Sequence, residues 1–235
     1  MKRFNTFILK IMAIIFMTLD HVYTYIAGKG DINIPIWFGY LGKLAAPIFF
    51  YLIVEGFFHT KSRKKYSGRL LGVAGLMAII DIILDIHNNI FLSLGLGVIL
   101  MSVIEYCKEN KRNSKKLIFG VLVSILVSVL MMFTEASYYG LAMILTFYFF
   151  REKKVIMSIV YIVFSLLPVL GNLSLGEYFT ESIFLWDYQW MMVFSIIFIN
   201  MYNGKLGFNN KFIKWFFYGF YPIHLMIIIL ISNVY

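Results

Sequence analysis

Lys10 and His21 stand eleven residues apart in the first apolar stretch of the chain, FILKIMAIIFMTLDHVYTYIAG, and Asp20 precedes the histidine. An imidazole that titrates near neutrality can take a proton from a nucleophile and return it to a leaving group. A neighbouring carboxylate can orient such a ring, and a cation at a fixed distance can hold an anionic substrate. On a helix, eleven residues leave a remainder of about 20° and rise about 16 Å, so Lys10 and His21 share a face. Asp20 points about 100° away from His21, which leaves it open to another partner, Lys43 among them. Ionisable groups cost about 2.5–3.5 kcal/mol each in hydrocarbon by insertion scales. Those retained there face a protein interior, a cavity or a substrate.

Further ionisable groups lie in later apolar stretches: Lys43, Glu55, Asp81, Glu105 and His224. Glu55 and His59 are four apart, on one helical face. His224 follows Pro222, which frees a backbone carbonyl and favours a kink; Tyr218 and Tyr221 precede it. Simpler readings stand beside these. Lys10 can snorkel to an interface, Asp20 can form a neutralised bridge with Lys43, and Glu55 can pair with His59. Glu105, close to a span end, is assigned no role. The chain has no H-E-x-x-H pair, G-x-S-x-G elbow or Walker loop. The glycines at 28–30 and 95–97 do not form a phosphate fingerprint. The single cysteine, Cys107, excludes an intrachain disulfide and a cysteine cage, and no metal is expected from four scattered histidines.

These groups must be held by membrane helices. Hydrophobic residues make up 61% of the 235-residue chain and charged residues 14%, against about 25% charged in a soluble domain. A crossing helix needs about 20 apolar residues. Spans are expected at 7–27, 36–58, 69–86, 90–107, 117–134, 138–150, 155–171, 188–202 and 213–233. The sixth and eighth are short, and 171–187 reads as a loop or an interfacial helix. The fold class is therefore an all-α polytopic membrane bundle of about nine helices, within a range of 8–10, forming one transmembrane domain over 1–235. The N-terminal run, with Lys2 and Arg3 before it, resembles a signal peptide. Lys10 and Asp20-His21 interrupt that run, so it reads as a retained first span.

The basic residues orient the spans. All but three of the 21 Lys and Arg fall on the side of the N-terminus, in its flank and in alternate loops; Lys10 and Lys43 lie within spans and Lys29 in an opposite loop. The N-terminus is thus expected in the cytosol. Lys10, Glu55 and His59 then lie toward the cytosolic end. Asp20, His21, Lys43 and Asp81 share the outer half. The net charge of +9 follows from topology, with some attraction to anionic membrane lipids, and nucleic acid is not an expected partner.

The segment LKIMAIIFMTLDHVYTYI resembles the opening of the TraX family, membrane proteins named for acetylation of the F-type conjugative pilin. LGKLAAPIFFYLIVEGFFHTKSRKKY at 41–66, the RLLGVAGLMAIIDIILD region, NIFLSLGLG and the C-terminal YNGKLGFNNKFIKWFFYGFYPIHLMII extend the likeness along nearly the whole chain. About 110–190 resembles the family only in hydropathy and in YYG at 138–140. The Lys10-x10-His21 spacing is also similar to the basic-x10-His pattern of type-3 membrane acyltransferases. There the histidine is implied to be catalytic, with the basic residue toward CoA. Two positions depart from the pattern: Lys43 stands where arginine is expected, and Asp81 with Asp85 where Glu and Asp are usual.

The resemblance implies an acetyltransferase in the bacterial plasma membrane, with acetyl-CoA as co-substrate. On that reading Lys10, Glu55, His59, Lys61 and Arg63 are the candidates for cofactor binding at the cytosolic end. His21 is the general base or a transient acetyl carrier. Asp20, Lys43 and Asp81 shape the charge around it, and His224 closes the site with Tyr221. The acceptor is an amine or hydroxyl of a pilin-like or secreted peptide, or of a surface glycan. Two other readings stay open: a small-solute or proton-coupled transporter, since intramembrane Asp, Lys and His also build relays, and a non-catalytic assembly factor for a pilus or conjugation machinery.

Overall fold

The structure, a computed structural model, describes residues 3–29 and 31–234. Lys2, counted above with the N-terminal basic residues, and Gly30 of the 28–30 run lie outside them. The helices are α1 (Thr6–Ile26), α2 (Trp37–Gly42), α3 (Ala45–His59), α4 (Arg63–Leu84), α5 (Ile90–Glu109), α6 (Ser114–Met132), α7 (Ser137–Phe149), α8 (Lys154–Ser165), α9 (Leu167–Asn172), α10 (Phe179–Glu181), α11 (Ser195–Asn200) and α12 (Lys211–Ser232). Asn5, Ser62, Asn89, Asn113 and Asn210 cap α1, α4, α5, α6 and α12, each side chain accepting from a backbone N–H in the first turn. Such caps satisfy donors that a helix start leaves unpaired.

Among the described residues, seven helical stretches are long and apolar enough to cross a membrane, and Ser137–Phe149 and Tyr188–Asn200 are shorter apolar ones. These two correspond to the short sixth and eighth expected spans. The chain is an all-α membrane bundle. Its outward side chains agree: Ile79, Ile82 and Ile83 of α4, and Ile118, Phe119, Leu122 and Ile125 of α6, are all exposed. Apolar exposure along whole helix faces is what lipid contact requires.

Two compact units divide the chain. The first comprises Met1–Phe49 and Glu152–Tyr235. In it α1 packs against α2 and α12. Leu9, Ala13, Met17 and His21 form a buried stripe on α1 at four-residue spacing, and Tyr221, His224, Leu225 and Ile228 line the buried face of α12. Lys29, the lone basic residue of the opposite loops, donates from Nζ to the Ser232 carbonyl at 3.1 Å. It places a cation at the C-terminal end of α12, where the helix dipole favours one.

The second unit is Phe50–Arg151, with α5 packed against α4, α6 and α7. Its core includes Phe50, Val54, Phe57, Met77, Val98, Met101, Met131 and Phe147. Gly95 and Gly97 are packing residues here: a Cβ on either would come within 2.8 Å of Leu71 or Ile144. Small residues let membrane helices approach closely.

The backbone departs from the expected spans at two places. The expected span 36–58 matches a 23-residue helical stretch, Trp37–His59, that is long and apolar enough to cross, but a turn through Lys43 and Leu44 divides it into α2 and α3. The region 171–187, expected as a loop or an interfacial helix, lies in a chain of short helical turns over 167–194, with α9 followed by 3-10 at Leu173–Tyr178, π at Ser182–Trp186 and 3-10 again at Tyr188–Phe194. Pro168 lies in the first turn of α9, and Gly176, at φ +56, breaks the 3-10 turn at Leu173–Tyr178. Side chains satisfy polar groups that a regular helix would have paired. Asn172 Nδ2 donates to Asp187 Oδ2 at 3.0 Å, Trp190 Nε1 to the Ile183 carbonyl at 2.8 Å, and Tyr161 to the Met192 carbonyl at 2.6 Å. Irregular backbone within a membrane protein depends on such internal partners.

Candidate active site

The buried stripe of α1 ends on His21, which is 6% exposed. Packing of α12 on α1 brings His224, 7% exposed, against it. His21 Nδ1 lies 2.8 Å from His224 Nε2, and the two rings are within 10° of parallel. The other nitrogen of His224, Nδ1, donates to the Phe220 carbonyl at 2.8 Å. The Phe220 ring stacks on His224 with centroids 4.8 Å apart. Tyr221 presents an edge to both imidazoles, at 5.9 Å from His21 and 5.6 Å from His224, and Tyr25 lies 6.2 Å from His21. Two imidazoles from opposite ends of the chain are thus held in one apolar box.

Asp20, adjacent in sequence to His21, serves a different partner. Lys43 Nζ donates to Asp20 Oδ1 at 3.1 Å, and each side chain is about a quarter exposed. The turn after α2 makes this possible. A Cβ at Gly42 would fall 2.3 Å from Asp20 Oδ1, so the carboxylate is seated directly on the glycine backbone. Tyr188 covers the pair, with Lys43 Nζ 5.4 Å from its ring centroid and its own hydroxyl against Gly39. Paired this way, the two charges neutralise one another, as intramembrane charges must.

Lys10 lies eleven residues back along α1, half-buried, with Nζ 4.9 Å from the Phe217 ring. Lys214 on α12 acts on it electrostatically. One end of the α1–α12 pair therefore carries two cations, and the two imidazoles meet farther along it.

The remaining candidates belong to the second unit. Glu55, 7% exposed, does not pair chiefly with His59. It accepts from Arg151, Nε to Oε1 at 2.8 Å and a terminal nitrogen to Oε2 at 3.2 Å. His59 instead bonds the Glu55 backbone carbonyl at 2.8 Å, because one helical turn brings its ring back over that oxygen. Arg63 lies over Phe57 at 4.2 Å, and Lys61 is exposed. Asp81 sits on α4 with Oδ1 buried and without a hydrogen-bond partner among the described residues. Glu105, given no role above, bonds Tyr148 and Lys108. Among the described residues, no three His, Cys, Asp or Glu side chains are grouped to hold a metal ion.

Sequence reasoning missed Gly42, Tyr188, Phe220 and Arg151. Only Gly42 carried a signal, a glycine beside a lysine in an apolar run. Tyr188 and Arg151 act across distant chain segments, and Phe220 acts through its backbone carbonyl and its ring on His224.

The sequence model of the TraX protein family matches residues 6–232, a span that includes His21 and His224, all of the second compact unit and most of the first. The chain belongs to the TraX family. As a TraX-family protein with seven helices able to cross among the described residues, it is a multi-pass bacterial membrane protein. It is similar to a protein of Dichelobacter nodosus described as probable fimbrial assembly protein FimC, serogroup H1. The two are 26% identical over 240 residues, covering 96% of this chain and 94% of that protein. No solved structure matches this TraX-family chain.

Proposed function

We propose that this protein is a membrane acetyltransferase that moves an acetyl group from acetyl-CoA to an amine or hydroxyl acceptor in pilus assembly or conjugation. The observation that carries the reading is the buried imidazole pair with Lys10 on the same face of α1. His21 serves as general base. Lys10, at the end of α1 flanked by basic residues, meets the phosphates of CoA. The positive-inside distribution puts that end in the cytosol, where acetyl-CoA is made. The acceptor approaches from the membrane or its outer side. A pilin-like or secreted peptide fits the name of the fimbrial relative, and a surface glycan offers the same nucleophile class.

The test is acetyl transfer itself. Membranes containing the protein are given acetyl-CoA labelled in the acetyl group, and the labelled product is isolated. Label on a peptide or glycan that depends on His21 supports the enzyme. A second reading, a non-catalytic assembly factor, draws on the fimbrial relative's name. It is favoured if His21→Ala leaves pilus assembly intact and no label is transferred.

A further inference from the structure

We infer that His21 and His224 form a two-imidazole proton relay, with His224 as the positioning residue that fixes His21 as the base and takes up its charge. This rests on the acetyltransferase reading for its chemistry, but not for its geometry.

The polarity follows from one carbonyl. Phe220 O can only accept, so the His224 nitrogen 2.8 Å from it, Nδ1, carries the proton. Neutral His224 then has its lone pair on Nε2. His21 Nδ1, 2.8 Å away, must donate to that lone pair. Neutral His21 is left with its basic lone pair on Nε2, directed away from the pair. A carboxylate does this work in a Ser-His-Asp triad. Here Asp20 is committed to Lys43, and a neutral imidazole orients the base without burying a net charge in the resting protein.

Transfer then balances. The acceptor X–H attacks the thioester carbonyl carbon and the C–X bond forms. The X proton passes to His21 Nε2, and the Nδ1 proton of His21 passes to His224 Nε2. The positive charge rests on His224, between the Phe220 carbonyl and the face of the Phe220 ring, 4.8 Å away. When the C–S bond breaks, both protons step back. The CoA sulfur leaves as a thiol with the proton from His21 Nε2, and both imidazoles regain their starting forms.

Two measurements on the full-length protein in detergent test the relay. Nitrogen-15 NMR of labelled histidine, assigned with single His→Gln variants, reads the tautomers. Both His21 and His224 are expected as the Nδ1–H form; an Nε2–H form of His21 overturns the relay. In the transfer assay, His224→Ala is expected to lower kcat by about 10²- to 10⁴-fold, the range of a lost proton-transfer partner, with KM for acetyl-CoA unchanged. His224→Gln, which restores an acceptor for His21, recovers part of that loss. A His224→Ala protein that turns over like wild type, or one that loses KM instead of kcat, overturns it. If the wild type transfers no acetyl group, the proposed function falls, and the tautomers still decide whether the pair has this polarity.

Discussion

His21 and His224 are separated by 203 positions in sequence and by 2.8 Å between ring nitrogens. The contact ties the first apolar helix to the last, and both imidazoles are buried in it. Losing either imidazole leaves its partner's nitrogen buried and unbonded. Such an orphan costs about 1–3 kcal/mol, so both substitutions carry a stability penalty separate from any effect on turnover.

Gly42 is predicted to be intolerant of a side chain. An alanine Cβ would meet Asp20 at 2.3 Å, so either the carboxylate or the turn must move. Overpacking of this kind costs about 1–3 kcal/mol. Gly68→Ala in α4, where a Cβ meets nothing within 4 Å, is expected to stabilise by about 0.5–1 kcal/mol. Thermal unfolding of the two variants in detergent should move in opposite directions.

Asp20 and Lys43 should behave as a coupled pair. Each side chain is about a quarter exposed, so the coupling lies below that of a fully buried ion pair, at about 1–2 kcal/mol. Asp20→Asn and Lys43→Met should each destabilise, and the double variant should cost less than the sum. A double-mutant cycle on unfolding midpoints measures it. Strict additivity would mean that the pair contributes nothing.

Glu55 is predicted to matter for the fold rather than for cofactor contact. Arg151→Met strands its buried carboxylate, at a cost of about 3–5 kcal/mol. His59→Ala removes a ring that is half exposed and should stay within about 0.5 kcal/mol of wild type, as surface substitutions do. Expression level and unfolding temperature separate the two. A destabilised His59→Ala beside an unaffected Arg151→Met would reverse this assignment.

The fold was legible where the physics is local. Apolar length located the spans. The face shared by Lys10 and His21 followed from helical pitch alone. Neither His224 as the partner of His21 nor Arg151 as the partner of Glu55 could be read, since both depend on which distant helices pack together. The break after Gly42 was hidden for a related reason: apolar periodicity runs through it, and only the seating of Asp20 explains the turn. Region 171–187 reads as a loop or an interfacial helix because it holds polar residues such as Asn172, Ser182 and Asp187, yet those side chains support each other in a run of short turns.

Lys10 should affect binding more than chemistry. It lies about 16 Å along α1 from His21 by helical rise, beyond contact with the reacting atoms. Lys10→Met is expected to raise KM for acetyl-CoA about tenfold, the worth of about 1.4 kcal/mol, and to leave kcat within about twofold. Steady-state transfer kinetics check this, and a fall in kcat at unchanged KM would contradict it.

The central claim is that His21 performs acetyl transfer, and the most direct test is the purified protein in lipid vesicles with labelled acetyl-CoA and an acceptor-bearing membrane extract. Wild type is predicted to transfer label, and His21→Ala, matched for folded protein by its unfolding profile, to transfer at least about a hundredfold less. Equal transfer by the folded His21→Ala protein would contradict the account.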